Sequence, residues 1–384
     1  MIRDAAKFAN FLADVRQFVQ DVAIPNEDRV EAEDRIPEEL VEEMRRRGYF
    51  GWSIPEEYGG AGLTTEELAL ANIELSRCSV AFRARVGINT GVGSESLVQD
   101  GTDLQKRAYL PRLASGALTG ALALTEPDAG SDAGALATIA EPVGNNAWRL
   151  NGRKRYITLA PIADIFTVFA RTDRDARNAE AISAFLIERG TPGLSTSPST
   201  PKMGQEGAPI GEVFLKDCIV QADAIVGNRL NGGFRTVMKT LNKQRINLAA
   251  LSTGPAIRML DEAIAYARER RQFGKPIGEF QLVQAMLADC KVEIEAARAL
   301  ILQTARKRDD GEDVTMDVSL CKYYATEMCG RVADKVVQIF GGQGWVKERC
   351  IERFYRDVRP FRIYEGTSQI HQLNIAKLLL RNAE

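Results

Sequence analysis

Apolar positions over residues 1–118 recur every three or four residues, as in FANFLADVRQFVQDVAI, and predict helices. PEELVEEMRRRGYF places Pro37 near a helix start and Gly48 at its stop. SIPEEYGGAGL reads as a loop, and TTEELALANIELSRCSVAFRARVGINTGV and DLQKRAYLPRLASGAL return to helical spacing. Near residue 119 the pattern shortens. WRLNGRKRYIT, ADIFTVFART, AISAFLIER and GEVFLKDCIV are short segments rich in β-branched and aromatic residues, separated by turn residues. They predict antiparallel strands over 119–227, with a hairpin turn at Asn151-Gly152. Long helical segments then occupy roughly 232–270, 280–309, 313–340 and 366–382, and predict a four-helix bundle whose first helix is kinked or interrupted at Gly254-Pro255. The chain therefore divides into 1–118, 119–227 and 228–384, mostly α with a central β-domain. The order helices, strands, helices excludes an alternating βαβ chain.

Composition narrows the chemistry. A length of 384 residues exceeds one ordinary core, and 45% hydrophobic with 27% charged residues fits a soluble globular protein. A net charge of -2 offers no field for nucleic acid. No apolar run reaches the ~18 residues of a membrane span. The amphipathic N-terminus carries Asp4 and Asp14, unlike a secretory signal. Cys78, Cys218, Cys290, Cys321, Cys329 and Cys350 form no CxxC, and with one histidine in the chain they exclude a Cys/His zinc site. Their scatter predicts reduced thiols and a cytoplasmic location. His371 sits in IHQLNIAKLLL with no serine or cysteine motif beside it, so nucleophile–histidine catalysis is excluded and an ordinary helix residue is expected. Chemistry is left to carboxylates, hydroxyls, backbone amides or a bound cofactor.

Four stretches are candidates. ALTEPDAGSDAGA (123–135) offers hydroxyls and close backbone amides to a polar ring edge or phosphate, or is a turn-rich connector. RERRQFGK (268–275) pairs with a pyrophosphate or simply ends a helix. QIFGGQGW (338–345) lacks the GxGxxG spacing and a preceding strand, so it is a helix cap or a backbone surface approached by a ligand. FRIYEGTSQIHQ (361–372) holds Glu365, a surface charge at a turn or the working base of an enzyme.

In this order, and with KRYIT between the first two, these stretches resemble the acyl-CoA dehydrogenase family of flavoenzymes over nearly the whole chain. Trp345 and Tyr156 depart from the residues usual in that family. The resemblance implies an N-terminal helical domain, an antiparallel β-domain and a C-terminal four-helix bundle, assembled as a homotetramer. It implies FAD held by Leu122, Leu124, Thr125, Gly130, Ser131, Tyr156, Ile157 and Thr158. Arg270, Gln272, Phe273 and Gln281 would come from a second subunit, with Gln338, Gly341, Gly342, Thr367 and Gln369 adding contacts. Ser131, Asn242, Arg245, Tyr364 and Gly366 would serve the thioester substrate, Arg245 by supporting the catalytic loop.

Glu365 matches the base of the family's YEGT motif. The implied reaction is α,β-dehydrogenation of acyl-CoA to trans-2-enoyl-CoA, with the β-hydride passing to flavin N5 and electrons onward to an electron-transferring flavoprotein. A pocket that excludes water raises the proton affinity of such a carboxylate, which the weakly acidic α-carbon requires. Arg83 and Arg85 lie on the helix whose face toward the pocket includes 83–88, where glutaryl-CoA dehydrogenases carry an arginine for the distal carboxylate. A buried arginine calls for an anion, so a short or acidic-tailed acyl group is expected. Alternative readings are a flavin oxidase of the same fold, a dehydrogenase of carrier-protein thioesters, and a non-catalytic assembly subunit.

Overall fold

The protein is described from a computed structural model, over residues 1–173 and 179–381. Seven helices build the N-terminal part: α1 Ala5–Phe18, α2 Glu27–Glu33, α3 Glu38–Arg46, α4 Thr65–Leu75, α5 Val80–Asn89, α6 Val92–Asp100 and α7 Asp103–Ala114. Helix α3 begins after Pro37 and is followed by Gly48 in the left-handed region. Helix α4 opens on a capping box in which Thr64 accepts from the Glu67 amide and Glu67 accepts from the Thr64 amide. Phe18, Tyr49, Trp52 and Phe82 fill the core beneath these helices.

The central domain is one seven-stranded sheet of β1 Gly120–Ala123, β2 Ile139–Val143, β3 Ala147–Thr158, β4 Ile165–Arg171, β5 Ile182–Glu188, β6 Leu194–Thr196 and β7 Ile210–Gln221. It is mixed, not purely antiparallel: β1 and the first residue of β2 pair with β4 in parallel. Asn151-Gly152 does not turn. It lies inside β3, where the register against β7 slips between Leu150 and Gly152. The glycine is there for space, since a Cβ on it would stand 2.3 Å from Thr138 Oγ1. The chain reverses instead between Val143 and Ala147.

The C-terminal part holds α8 Gly233–Glu269, a hairpin of β8 Arg271–Gln272 and β9 Lys275–Pro276, and then α9 Gln281–Asp309, α10 Thr315–Phe340, α11 Gly342–Trp345, α12 Cys350–Val358 and α13 Ser368–Arg381. Pro255 does not interrupt α8, which runs unbroken for 37 residues. An interior proline costs about 3 kcal/mol. Every residue of α8 from Gln244 to Ala256 is buried, and that much packing outweighs one lost amide bond. Between the end domains, Arg353 of α12 bonds Glu27, Asp28 and Glu31 of α2 at 2.8, 2.9 and 3.2 Å. Among the described residues no helix is long and apolar enough to cross a membrane.

Candidate active site

A cavity of about 700 Å³ opens where α5, the β-domain and α8 meet the loop before α13. Of the residues singled out from sequence, Arg83, Leu122, Leu124, Thr125, Gly130, Ser131, Tyr156, Ile157, Thr158, Arg245, Tyr364, Glu365 and Gly366 line it. These come from five separate stretches of chain. The loop after β1 is pinned from below, because buried Lys154 of β3 bonds Glu126 at 2.7 Å and the Leu124 carbonyl at 3.2 Å. Glu126 in turn accepts from the Ala137 and Thr138 amides. That fixes the backbone that carries Thr125, Gly130 and Ser131.

Glu365 adopts φ +56, and Gly366 follows at +97. The left-handed region is strained for glutamate, so surrounding contacts must hold it there. Three donors do so. Arg245 Nε and His371 Nε2 both reach the Glu365 carbonyl, at 3.4 and 3.3 Å. Lys322 Nζ donates to the Gly366 carbonyl at 2.6 Å. Among the described residues the Glu365 side chain has no hydrogen-bond donor, and its Oε2 is buried. Burial pushes this carboxyl up, while Arg83, Lys322 and Arg245 pull it back, leaving it at about 6. A carboxylate so placed is half-buried, with an unpartnered oxygen and a titration raised toward neutral pH, which suits proton transfer at a carbon.

Arg83 is buried on α5, with its Nε on Asn72 Oδ1 at 2.6 Å. Its guanidinium lies over Gly87, one turn on, where a Cβ would stand 1.2 Å from Nη1. Burial lowers its proton affinity, and Glu365 and Tyr364 oppose that. Arg85 is also buried but does not line the cavity. It stacks on Phe50 with its guanidinium carbon 4.9 Å from the ring centroid. Residues two apart on a helix point to nearly opposite sides, so the two arginines cannot share a face.

Asn242 lies off the cavity too. It accepts from Arg245 Nη1 at 2.8 Å and lines a smaller cleft with Arg308, Glu312 and Asp313. Thr367 and Gln369 are past its edge, and Thr367 Oγ1 accepts from the Ile370 amide. Arg270, Gln272, Phe273, Gln281, Gln338, Gly341 and Gly342 stand exposed, away from the cavity of their own chain. Phe273 is 93% exposed at the hairpin tip.

Three residues escaped the sequence reading. His371 is no ordinary helix residue: it is fully buried behind Glu365, its proton affinity lowered to about 3 by burial and by Arg245 and Lys322. Lys322 looked like any lysine in a helical run, yet burial lowers it to about 8. Gln205 lines the cavity at φ +61, its amide held by Asp357. Only the single histidine count could have flagged one of them.

The cavity suits the reactive ring of FAD. Its volume lies in the range of small-molecule sites. Thr125, Ser131 and Thr158 offer hydroxyls opposite apolar Phe234, Met238 and Leu241 of α8. Gly130 has open space where a Cβ would be, and Tyr156 stands 56% exposed on the wall.

Residues 7–117, 121–218 and 231–380 match the N-terminal, middle and C-terminal domains of acyl-CoA dehydrogenase. A 3-(aryl)acrylate reductase of Clostridium sporogenes is 41% identical over 367 residues, 95% of this chain and 96% of that protein. The CarC subunit of the caffeyl-CoA reductase–Etf complex of Acetobacterium woodii is 38% identical, over 92% of this chain and 93% of that one. The glutaryl-CoA dehydrogenase structure in complex with glutaryl-CoA superposes with a TM-score of 0.93 at 37% identity, covering 99% of this chain and 96% of that one.

Proposed function

This chain belongs to the acyl-CoA dehydrogenase family of FAD-binding oxidoreductases, and we propose that it interconverts an acyl-CoA and its trans-2-enoyl-CoA with Glu365 as the base at the α-carbon. The observation that carries this is the half-buried Glu365 carboxylate on the cavity wall, whose buried Oε2 has no partner among the described residues. In one direction it takes the α-proton, and in the other it returns it. FAD, when bound, supplies the partner for the β-hydride. The Glu365 amide donates to the thioester oxygen as charge develops there. Gly366 lets the chain pass close to the thioester, and Tyr364 and Ser131 complete its walls. Thr125, Tyr156 and Thr158 hold the flavin ring. The exposed Arg270, Gln272, Phe273, Gln281, Gln338, Gly341 and Gly342 serve the cofactor of a neighbouring subunit in a homotetramer. Exposed Leu282 and Val292 on α9, and Leu373 and Leu380 on α13, offer apolar surface for that assembly.

Arg83 selects the acyl group. Its guanidinium is buried beside the base, and its one protein hydrogen bond uses Nε. An acidic tail, as in the glutaryl relative, would give it the anion it lacks. The two reductases favour a second occupant, an arylacryloyl group whose ring or hydroxyl meets the same guanidinium. The CarC relative also favours an electron-transferring flavoprotein as redox partner. The test is anaerobic bleaching of the visible flavin band by butyryl-, octanoyl- and glutaryl-CoA, with reoxidation of the reduced protein by cinnamoyl-CoA. A response to glutaryl-CoA supports the acidic tail, and one to cinnamoyl-CoA alone supports the aryl group. No response to any thioester would sink the reading.

A further inference from the structure

We infer that Lys322 and His371 are positioning residues for the proton transfer: from behind the loop they clamp the two carbonyls that follow the base and hold Glu365 in its left-handed conformation. This rests on the reading of Glu365 as the base.

The geometry is over-determined. Glu365 and Gly366 are consecutive residues with positive φ, and among the described residues neither amide finds an acceptor. A loop so short of its own hydrogen bonds would relax unless something held it. Lys322 Nζ takes the Gly366 carbonyl at 2.6 Å, a charge-assisted bond in a buried setting. Against a carbonyl, His371 Nε2 has to be the donor, which leaves Nδ1 bare, and Nδ1 has no partner. The imidazole edge also lies on Gly366, where a Cβ would stand 3.0 Å from Nε2. Arg245 reaches the same Glu365 carbonyl. Both peptide planes after the base are thus fixed from α8, α10 and α13 at once, and Glu365 is left with its carboxylate on the cavity wall.

Lys322 has a second effect through charge. The groups that face the Glu365 carboxylate are Arg83 of α5, Arg245 of α8, Lys322 of α10, neutral His371 of α13 and the neighbouring Tyr364, with Glu327 of α10 beside Lys322. Removing the ammonium removes one of three cations that favour the ionised base, so the base should titrate higher.

The test uses the FAD-loaded protein and 3-thiabutyryl-CoA with its ω-carboxy analogue, which have no β C–H to transfer. Exchange of their α-protons into D2O reports the base alone. Lys322→Met should slow exchange on the order of 100-fold, as displacement of a reacting group by about an ångström does. Its loss should fall on kcat more than on KM in turnover, and its acid limb should move to higher pH. Lys322→Arg should restore most of the rate. Lys322→Gln should keep the bond and part of the rate, yet show the shifted limb. His371→Phe should slow exchange without moving that limb, because the imidazole is neutral. Hydrogen exchange in the intact protein should show residues 361–371 losing protection in Lys322→Met. If Met, Gln and Arg variants match the wild-type rate and pH profile, the inference is overturned. A lowered melting temperature with unchanged exchange kinetics overturns it equally. If the wild-type protein exchanges no α-proton, the base reading fails and takes this one with it.

Discussion

Two charge clusters in this molecule are arranged in opposite ways. Around Arg353 three carboxylates lie within 3.2 Å: Glu27 is buried with it, Asp28 is exposed, and Glu31 is shared with Arg356. Burial alone would lower that guanidinium's proton affinity, yet Glu27, Asp28 and Glu31 hold it above the usual range. Around Glu365 one carboxylate faces Arg83, Lys322 and Arg245, and among the described residues it has no ion-pair partner. The cations there are occupied with carbonyls and with the amides of Asn72 and Asn242. The first cluster spends its charges on one another and joins α2 to α12. The second keeps its carboxylate in reserve. Charge is paired where it joins α2 to α12 and left incomplete at the proposed base.

Substitutions should divide along that line. Glu365→Gln should lower α-proton exchange and turnover by about 10³-fold or more, since general-base catalysis contributes 10²–10⁴-fold and no other carboxylate lines this part of the wall. Its melting temperature should be unchanged or higher, because no protein hydrogen bond is lost. A fall of several degrees would erase the contrast. Arg353→Met should do the reverse: about 3–5 kcal/mol of stability lost in denaturant unfolding, with flavin bleaching intact in the fraction that folds.

Arg83→Ala should sharpen the second cluster. It should reduce kcat/KM for an acidic or aryl substrate about 10- to 100-fold, as loss of a charge-assisted bond does, and leave butyryl-CoA little changed. Equal loss on all substrates would assign Arg83 to the fold.

The smallest effect is on pH and stability. The Glu365 carboxyl is raised to about 6 in the fold from an ordinary value of 4.5. Its contribution is therefore fully present below pH 4.5 and lost as pH rises through 6, on the order of 2 kcal/mol. The difference in unfolding free energy between wild type and Glu365→Gln should fall across that window and be flat above it. Catalysis runs the other way, with kcat/KM rising through about pH 6 as the base ionises.

Much of this was legible in the chain. The switch from helical spacing to short strands and back is a local property, and so are the helix start at Pro37 and the stop at Gly48. Glu365, which the structure puts on the cavity wall, stood out in the chain only through the motif its neighbours form. What stayed hidden depends on distant contacts. Asn151-Gly152 carries a turn's sequence, but Thr138 across the sheet claims the space and β3 runs through. Pro255 should break a helix, and burial on every side of α8 overrides it. Arg83 and Arg85 look equivalent in CSVAFRARVG, yet a rotation of about 200° sends one to the cavity and the other onto Phe50. Lys322 and His371 stand 43 and 6 residues from Glu365, and nothing near either announces a carbonyl behind the base.

The overlap of Arg83 with the missing Cβ of Gly87 also couples the two positions. A glycine inside a helix is about 1 kcal/mol worse than alanine, so position 87 carries a standing incentive to mutate. A methyl there would stand 1.2 Å from Arg83 Nη1 and would turn the guanidinium out of its present place. The glycine is thus the room in which the arginine lies, and a lineage that keeps this guanidinium where it is keeps the glycine with it.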